Sequence, residues 1–343
     1  MIRNAHGGIF SMTREGGTNE AQLALEVFTR FFMDSFTNID PLQGASPNRV
    51  WLITSSSGDY VLRKCVRNND REWLLHLEKL TDMLLRYEFP VAPILKSRQC
   101  DRTIYHAGYH WQLRPYVKGR FFQLGQDTDM VEAIRIILDL HNIKNLPSGP
   151  PNPNIGIEYW LEHPDVCLKE TEIELLNCCN KEQVTQLSSK YADILEDSLS
   201  LLSFDLYQTL PYVLTHGDFH GTNLIFSQNR IISVLDLDTI EVRPRIYDLA
   251  IAAFFLTRKK RGSFAIDPRR TKTFLQTYSA HNNLSLLELQ VIIPILQLHF
   301  LPTGRYLRLM YTETPELLNW YLDWSLNAAV SVKRLLTSVI KTI

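Results

Sequence analysis

The sequence predicts an α+β protein: a strand-rich N-terminal part with one long helix inserted, then a mainly helical remainder. Three observations point there. The runs "NRVWLITS" and "DYVLRKCV" are rich in β-branched and aromatic residues and are joined by the turn "SSGD", the pattern of a hairpin. "REWLLHLEKLTDMLLRYE" repeats apolar residues at helical spacing. Beyond about residue 118 helical patterns dominate, and strand-like runs return only at "YVLTHGDFHGTNLIF" and "RIISVLDLDT".

Taken in order, residues 1–20 lack the apolar core of a signal peptide and read as a loose polar arm. Residues 21–36, "AQLALEVFTRFFMDSF", carry helical spacing and lead into the hairpin. The long helix stops before Phe89-Pro90, because proline lacks the N–H that the helical ladder needs. Strands near residues 91–97 and 110–117 would complete a small sheet, giving an N-terminal lobe over 21–117. A second lobe over 118–343 would then begin with the amphipathic "MVEAIRIILDLHNI". The proline-rich "LPSGPPNPNIG" breaks the chain after it.

A length of 343 residues suits two lobes better than one core. The hydrophobic share of 45% and charged share of 21% are those of a globular protein, and no run is apolar enough to span a bilayer. A formal net charge of -1 supplies no global field for nucleic acid or an anionic membrane, so neither is expected as a partner. The basic run Arg258, Lys259, Lys260, Arg261 reads as a solvated loop. Five cysteines at irregular spacing, with no CxxC pair, fit reduced thiols and a cytoplasmic location.

The chemistry concentrates in "THGDFHGTNLIF". His216, Asp218 and His220 alternate there, as metal ligands could, and "DFHG" matches one signature of binuclear metallophosphoesterases. Those sites need further Gly-Asp and Gly-Asn-His segments downstream to complete two coordination shells, and neither follows the motif here. The whole region fits phosphoryl transfer better. That reaction needs a carboxylate to take the acceptor hydroxyl's proton and oxygen ligands to hold Mg²⁺ against ATP phosphates. Asp218 supplies the first; Asn223, five positions on, and Asp236 supply the second.

"HGDFHGTNLIF" together with "VLDLDTIEVRPRIYDLA" resembles the paired motif of the aminoglycoside phosphotransferase and choline kinase family. That group includes kinase-fold homoserine kinases, N-acetylhexosamine kinases and spore-coat kinase-like proteins. The resemblance implies a two-lobed, protein-kinase-like fold that binds ATP and Mg²⁺ between its lobes. It implies His216 as a brace for the loop, Asp218 as catalytic base, and Asn223 and Asp236 as metal ligands. Asp248 would accept backbone hydrogen bonds from the loop. Asp238 is open between a contact to metal or substrate and a polar turn.

The N-terminal part is similar to the same family. "LQGASPNRVWLI" resembles the nucleotide-covering hairpin, with Gly44, Ser46 and Asn48 near phosphates. "YVLRKC" resembles the strand carrying the phosphate-binding cation. Arg63 and Lys64 face opposite ways by strand alternation, and the family match favours Arg63 where most relatives use lysine. Glu72, with Glu78 as competitor, would orient that cation. "QLRPYVKG" resembles the hinge, where the Pro115 carbonyl and the Val117 amide would meet adenine.

The expected function is therefore transfer of the γ-phosphoryl group of ATP to a hydroxyl of a small polar molecule, such as a sugar, amino alcohol or aminoglycoside. The alternatives are a protein kinase and an inactive nucleotide-binding pseudokinase or scaffold. Only eleven residues separate Asp236 from Asp248, too few for a protein kinase's long activation loop, which favours a small acceptor. "LDLDTI" is similar to the second motif of the N-acetylhexosamine kinases. Asp238 and Glu241 would suit an amino-bearing acceptor, and Glu241, Arg243, Arg245, Arg305 and Tyr306 are positional candidates for acceptor contacts.

Overall fold

The structure, a computed structural model, describes residues 14–32, 36–42, 46–153 and 156–343. Of the arm expected over residues 1–20, the part up to residue 13 lies outside the described residues. From Arg14 the backbone is already helical. The chain begins with α1 (Arg14–Phe31), β1 (Phe36–Pro41), β2 (Arg49–Ser55), β3 (Gly58–Cys65), α2 (Arg71–Arg86), β4 (Thr103–His106), β5 (Tyr109–Pro115) and β6 (Arg120–Phe121). It continues with α3 (Asp127–His141), α4 (Ile157–Glu162), α5 (Pro164–Cys178), α6 (Lys181–Leu199) and α7 (Phe204–Gln208). Then come β7 (Tyr212–Thr215), β8 (Leu224–Ser227), β9 (Arg230–Val234) and β10 (Glu241–Pro244). The closing helices are α8 (Arg245–Leu256), α9 (Pro268–Asn282), α10 (Leu286–Gln290), α11 (Ile292–His299), α12 (Gly304–Glu313) and α13 (Pro315–Ile340).

The N-terminal sheet is antiparallel, in the order β1-β2-β3-β5-β4. Two elements differ from expectation. Residues 91–97 form no strand: Pro90 and Pro93 bring no amide to a ladder, and β4 takes the edge instead. The first helix ends at Phe31, and Phe36 already pairs with Ser55 as the start of β1.

Alternation gives this sheet two faces. Trp51, Ile53, Leu62, Ile104, Trp111 and Leu113 point to one and form a core with Ala24, Val27, Phe28 and Phe31 of α1. The register places Arg63 opposite Gln112 and Val61 opposite Arg114 on the other face. There Thr103 ties the sheet to α2, donating to Glu78 at 2.6 Å and accepting from Gln112 at 3.0 Å. Helix α2 starts where Asp70 accepts the Trp73 amide at 2.8 Å, and it buries Trp73, Leu74, Leu77, Leu80 and Leu84.

The chain divides into two compact units. One runs to Phe122 and also takes in Ile143–Pro153 and Thr222–Asp238; the other holds Gln123–Asn142, Asn154–Gly221 and Thr239–Ile343. A single boundary after residue 117 is therefore not what the chain adopts. The β8–β9 hairpin joins the first unit because β8 pairs with β6 and the Val234 amide donates to the Pro90 carbonyl at 2.6 Å. The second unit is helical apart from the β7–β10 pair. Its α8 is buried on every side from Ile246 to Leu256, as an apolar central helix must be. In this unit the buried Trp160 donates to the Leu301 carbonyl and the buried Tyr191 to the Pro302 carbonyl. Among the described residues no helix is long and apolar enough to cross a membrane.

Candidate active site

The loop after β7 is held from behind by a buried carboxylate. Asp248, in the first turns of α8, accepts the His216 amide at 2.6 Å on one oxygen and the Gly217 amide at 2.7 Å on the other. His141 stands 3.3 Å from the first of those oxygens and 2.8 Å from the Tyr278 hydroxyl, so the anchor is itself anchored. Both Asp248 and His216 are buried. The His216 ring nitrogen Nδ1 accepts the Asp218 amide at 3.2 Å, and Thr239 donates to the His216 carbonyl at 2.9 Å. His216 and Asp248 thus occupy the bracing positions that the resemblance implies.

Gly217 is required by this geometry. Its φ of +78° belongs to the left-handed region, and a Cβ there would come within 2.5 Å of the Thr239 carbonyl oxygen. The turn presents Asp218 half-buried, with the His220 ring 3.4 Å from its carboxylate. That ring in turn meets Phe255 edge-on.

Asn223 and Asp236 belong to the first unit and are brought side by side by the β8–β9 hairpin. Leu224 pairs with Val234, and the Leu235 amide donates to the Asn223 carbonyl at 2.8 Å. Asn223 is buried, whereas Asp236 is partly exposed and has φ +55°, a conformation that aspartate and asparagine tolerate better than most residues.

Arg63 meets the same segment. Its Nη2 donates to Asp238 and lies 3.9 Å from Asp236. Burial works against the Arg63 charge, but Asp238 beside it raises the guanidinium's pKa on balance. Burial likewise opposes the Asp238 charge, yet Arg63, then Arg67 and Asn48, hold its carboxyl below the ordinary range. Arg114, on the same sheet face, is pushed down to about 10 by burial and by Arg63's positive charge. Lys64 lies on the α1 face, where it pairs with Glu20 at 3.3 Å and sits 3.9 Å over the Tyr109 ring.

The remaining predicted nucleotide residues divide. Gly44 lies outside the described residues. The Ser46 hydroxyl accepts the Asn48 amide at 3.3 Å. The Asn48 side chain accepts the Val66 and Arg67 amides at 2.9 and 3.0 Å and donates to Asp238 at 2.8 Å, so its atoms brace the hairpin loop and Asp238. Pro115 closes β5 opposite Tyr60, with half-buried Val117 following. Glu72 is exposed in the first turn of α2, and among the described residues no ion pair joins it to Arg63; the carboxylates at that guanidinium are Asp238 and Asp236.

Two expectations about the acceptor need correction. Asp238 is buried against Arg63, and Glu241 pairs with Arg243 at 2.6 Å, so both carboxylates are engaged by arginines rather than offered to an amine. Arg243 is buried and also meets Glu158 at 3.1 Å, while Arg245 holds Glu288 at 2.7 Å. Tyr306 packs its ring on Tyr321, and Arg305 is exposed. Asn68 and Asn152 were not legible in the sequence; each donates to the Asp238 carbonyl at 2.9 Å.

Comparison with known proteins gives the class. Residues 39–281 match the "Phosphotransferase enzyme family" (APH). The chain belongs to this family. Two curated relatives, "Stress response kinase A" of Salmonella paratyphi A and "Serine/threonine protein kinase RdoA" of Salmonella typhimurium, are each 24% identical over 246 residues. Those matches cover 70% of this chain but 62% of each relative, less than two thirds of their length.

Among solved structures, a microcompartment-associated aminopropanol kinase superposes with a TM-score of 0.60 at 18% identity, covering 93% of this chain and 98% of that one. An amicoumacin kinase in complex with AMP-PNP, Ca²⁺ and Ami gives 0.59 at 16% identity, covering 92% and 96%. An aminoglycoside phosphotransferase from Alicyclobacillus acidocaldarius gives 0.58 at 15% identity, also covering 92% and 96%. The fold is that of the protein-kinase-like phosphotransferases: a five-stranded antiparallel N-terminal sheet and a mainly helical C-terminal part.

Proposed function

We propose that the chain is an ATP- and Mg²⁺-dependent phosphotransferase that acts on a hydroxyl of a small polar molecule. The observation that carries this reading is the loop holding Asp218, braced through His216 and Gly217 by Asp248. A side chain that must take a proton at one place in space needs its backbone fixed, and this loop is fixed from a buried carboxylate outward.

In the proposed reaction the acceptor oxygen attacks the γ-phosphorus and its proton passes to Asp218. The bond from the γ-phosphorus to the β,γ-bridging oxygen breaks, and ADP leaves. Arg63 pairs with phosphate oxygens, and the Pro115 carbonyl and Val117 amide meet the adenine edge. Asn223 and Asp236 fit Mg²⁺ by chemistry, an amide and a carboxylate oxygen at adjoining hairpin ends, because Mg²⁺ takes hard oxygen donors and completes its shell with phosphates and water. Bound there, the metal would neutralise charge on the nucleotide phosphates. Similar folds in complex with ADP and hygromycin B, or with AMP-PNP, Ca²⁺ and Ami, support nucleotide use.

For the acceptor, the short stretch between Asp236 and Asp248 and the similar folds of aminopropanol, amicoumacin and aminoglycoside kinases favour a small molecule. A second reading, a serine or threonine hydroxyl on a protein, is favoured by the name of one curated relative. Incubation with ATP and pooled metabolites or proteins, with products identified by mass spectrometry, separates them. One phosphate gained on a small hydroxyl compound supports the first reading, and phosphate only on protein supports the second. No phosphorylated product in either pool, from folded protein, refutes both.

A further inference from the structure

Asp238 is 1% exposed, and its contacts come from four separate stretches of the chain. Its carboxylate takes Arg63 from β3 and Asn48 from the loop before β2. Its main-chain oxygen takes Asn68, before α2, and Asn152, from the proline-rich segment, each at 2.9 Å. Asn48 also accepts the amides of Val66 and Arg67, directly after β3, so one side chain ties the carboxylate to the strand that carries Arg63. A polar turn residue needs none of this. A buried carboxylate must be paired to be tolerated, and here the pairing holds the Nη2 end of one guanidinium.

From this geometry we infer that Asp238 is the positioning residue for Arg63, doing what the resemblance assigns to Glu72. The inference rests on the phosphotransferase reading, in which Arg63 binds nucleotide phosphate. The "DLD" segment would then divide its labour: Asp236 would serve the metal, while Asp238 pairs with the arginine. It also suits an arginine at the position where the resemblance implies a lysine. A planar guanidinium holds a carboxylate on one edge and keeps donors on the other for phosphate, which the point charge of an ammonium does less well. Glu72, exposed in the first turn of α2, has no such part.

The test uses the full chain and calorimetric titration with two probes, Mg²⁺–AMP-PNP and adenosine, the second lacking phosphate. Asp238→Asn should weaken Mg²⁺–AMP-PNP by roughly 10–100-fold, the usual cost of losing a partner that orients a ligand-binding group, and adenosine by less than about twofold. Asp238→Glu should recover part of the loss, and Glu72→Gln should cost less than Asp238→Asn. Because Asp238→Asn leaves a buried cation poorly compensated, the pair Arg63→Met and Asp238→Leu provides a folded alternative. Combined, those two should bind Mg²⁺–AMP-PNP no more weakly than Arg63→Met alone. Equal losses for both probes, or losses that add in the double variant, would overturn the inference. So would unchanged Mg²⁺–AMP-PNP binding by Asp238→Asn. Failure of the unaltered protein to bind either probe would refute the phosphotransferase reading and this inference with it.

Discussion

The Asp248 carboxylate spends both oxygens on backbone, holding the His216 amide at 2.6 Å and the Gly217 amide at 2.7 Å. An amide donor left buried without an acceptor costs about 1–3 kcal/mol. Asp248→Ala orphans two of them and removes one of the two partners of His141. The expected result is a clear drop in thermal midpoint together with reduced turnover, read by calorimetry and a coupled ADP assay. A variant with unchanged melting would mean that the loop does not depend on this brace.

Asp218 stands at the tip of that loop, and its removal should separate chemistry from binding. Asp218→Asn keeps the shape and loses the base, so turnover should fall by roughly 10²–10⁴-fold while nucleotide affinity changes little. Rapid-quench turnover and equilibrium binding measured on the same preparation check this. Turnover near that of the unaltered protein would take Asp218 out of the proton-transfer role.

The two adjacent cations of β3 offer a sharper contrast, because alternation sends them to opposite faces. Lys64 is committed to Glu20 and the Tyr109 ring on the α1 side, while Arg63 meets Asp238 and Asp236. Lys64→Met should cost about 1 kcal/mol or less of stability and leave phosphate-dependent nucleotide binding intact. Arg63→Met should weaken binding of ADP and AMP-PNP while sparing adenosine. Loss of phosphate-dependent binding in the Lys64 variant would reverse the assignment.

Local pattern made much of this legible. The β2–β3 hairpin and α2 declared themselves through period and turn composition, and the assignment of Arg63 and Lys64 to opposite faces needed only alternation. What stayed hidden was tertiary. Residues 91–97 carry strand-like side chains, but pairing with β5 chose 103–106, where no proline interrupts the ladder. Asp238 could not be resolved between turn and site because its partners Arg63 and Asn48 lie 175 and 190 positions away. Glu72 was assigned by family position. The carboxylates that the fold sets at the Arg63 guanidinium, Asp238 and Asp236, lie in the second motif, where no periodicity could point to them.

The remaining prediction concerns Asp236, whose φ of +55° decides which substitution is informative. Alanine there would add left-handed strain of about 1–2 kcal/mol to any loss of ligation, confounding the two. Asp236→Asn keeps a side chain that tolerates this conformation and removes only the negative charge. Mg²⁺ binds oxygen ligands and prefers carboxylate to amide, so the variant should bind Mg²⁺–ATP more weakly while binding Mg²⁺-free ATP about as well, or better, since one repulsive charge near the phosphates is gone. Asn223→Ala should change the same ratio in the same direction, because the hairpin sets the two residues at adjoining ends. Calorimetric titrations with and without Mg²⁺, alongside a melting curve for each variant, measure the ratio directly. A variant that melts normally and loses affinity equally under both conditions would remove Asp236 from the metal site.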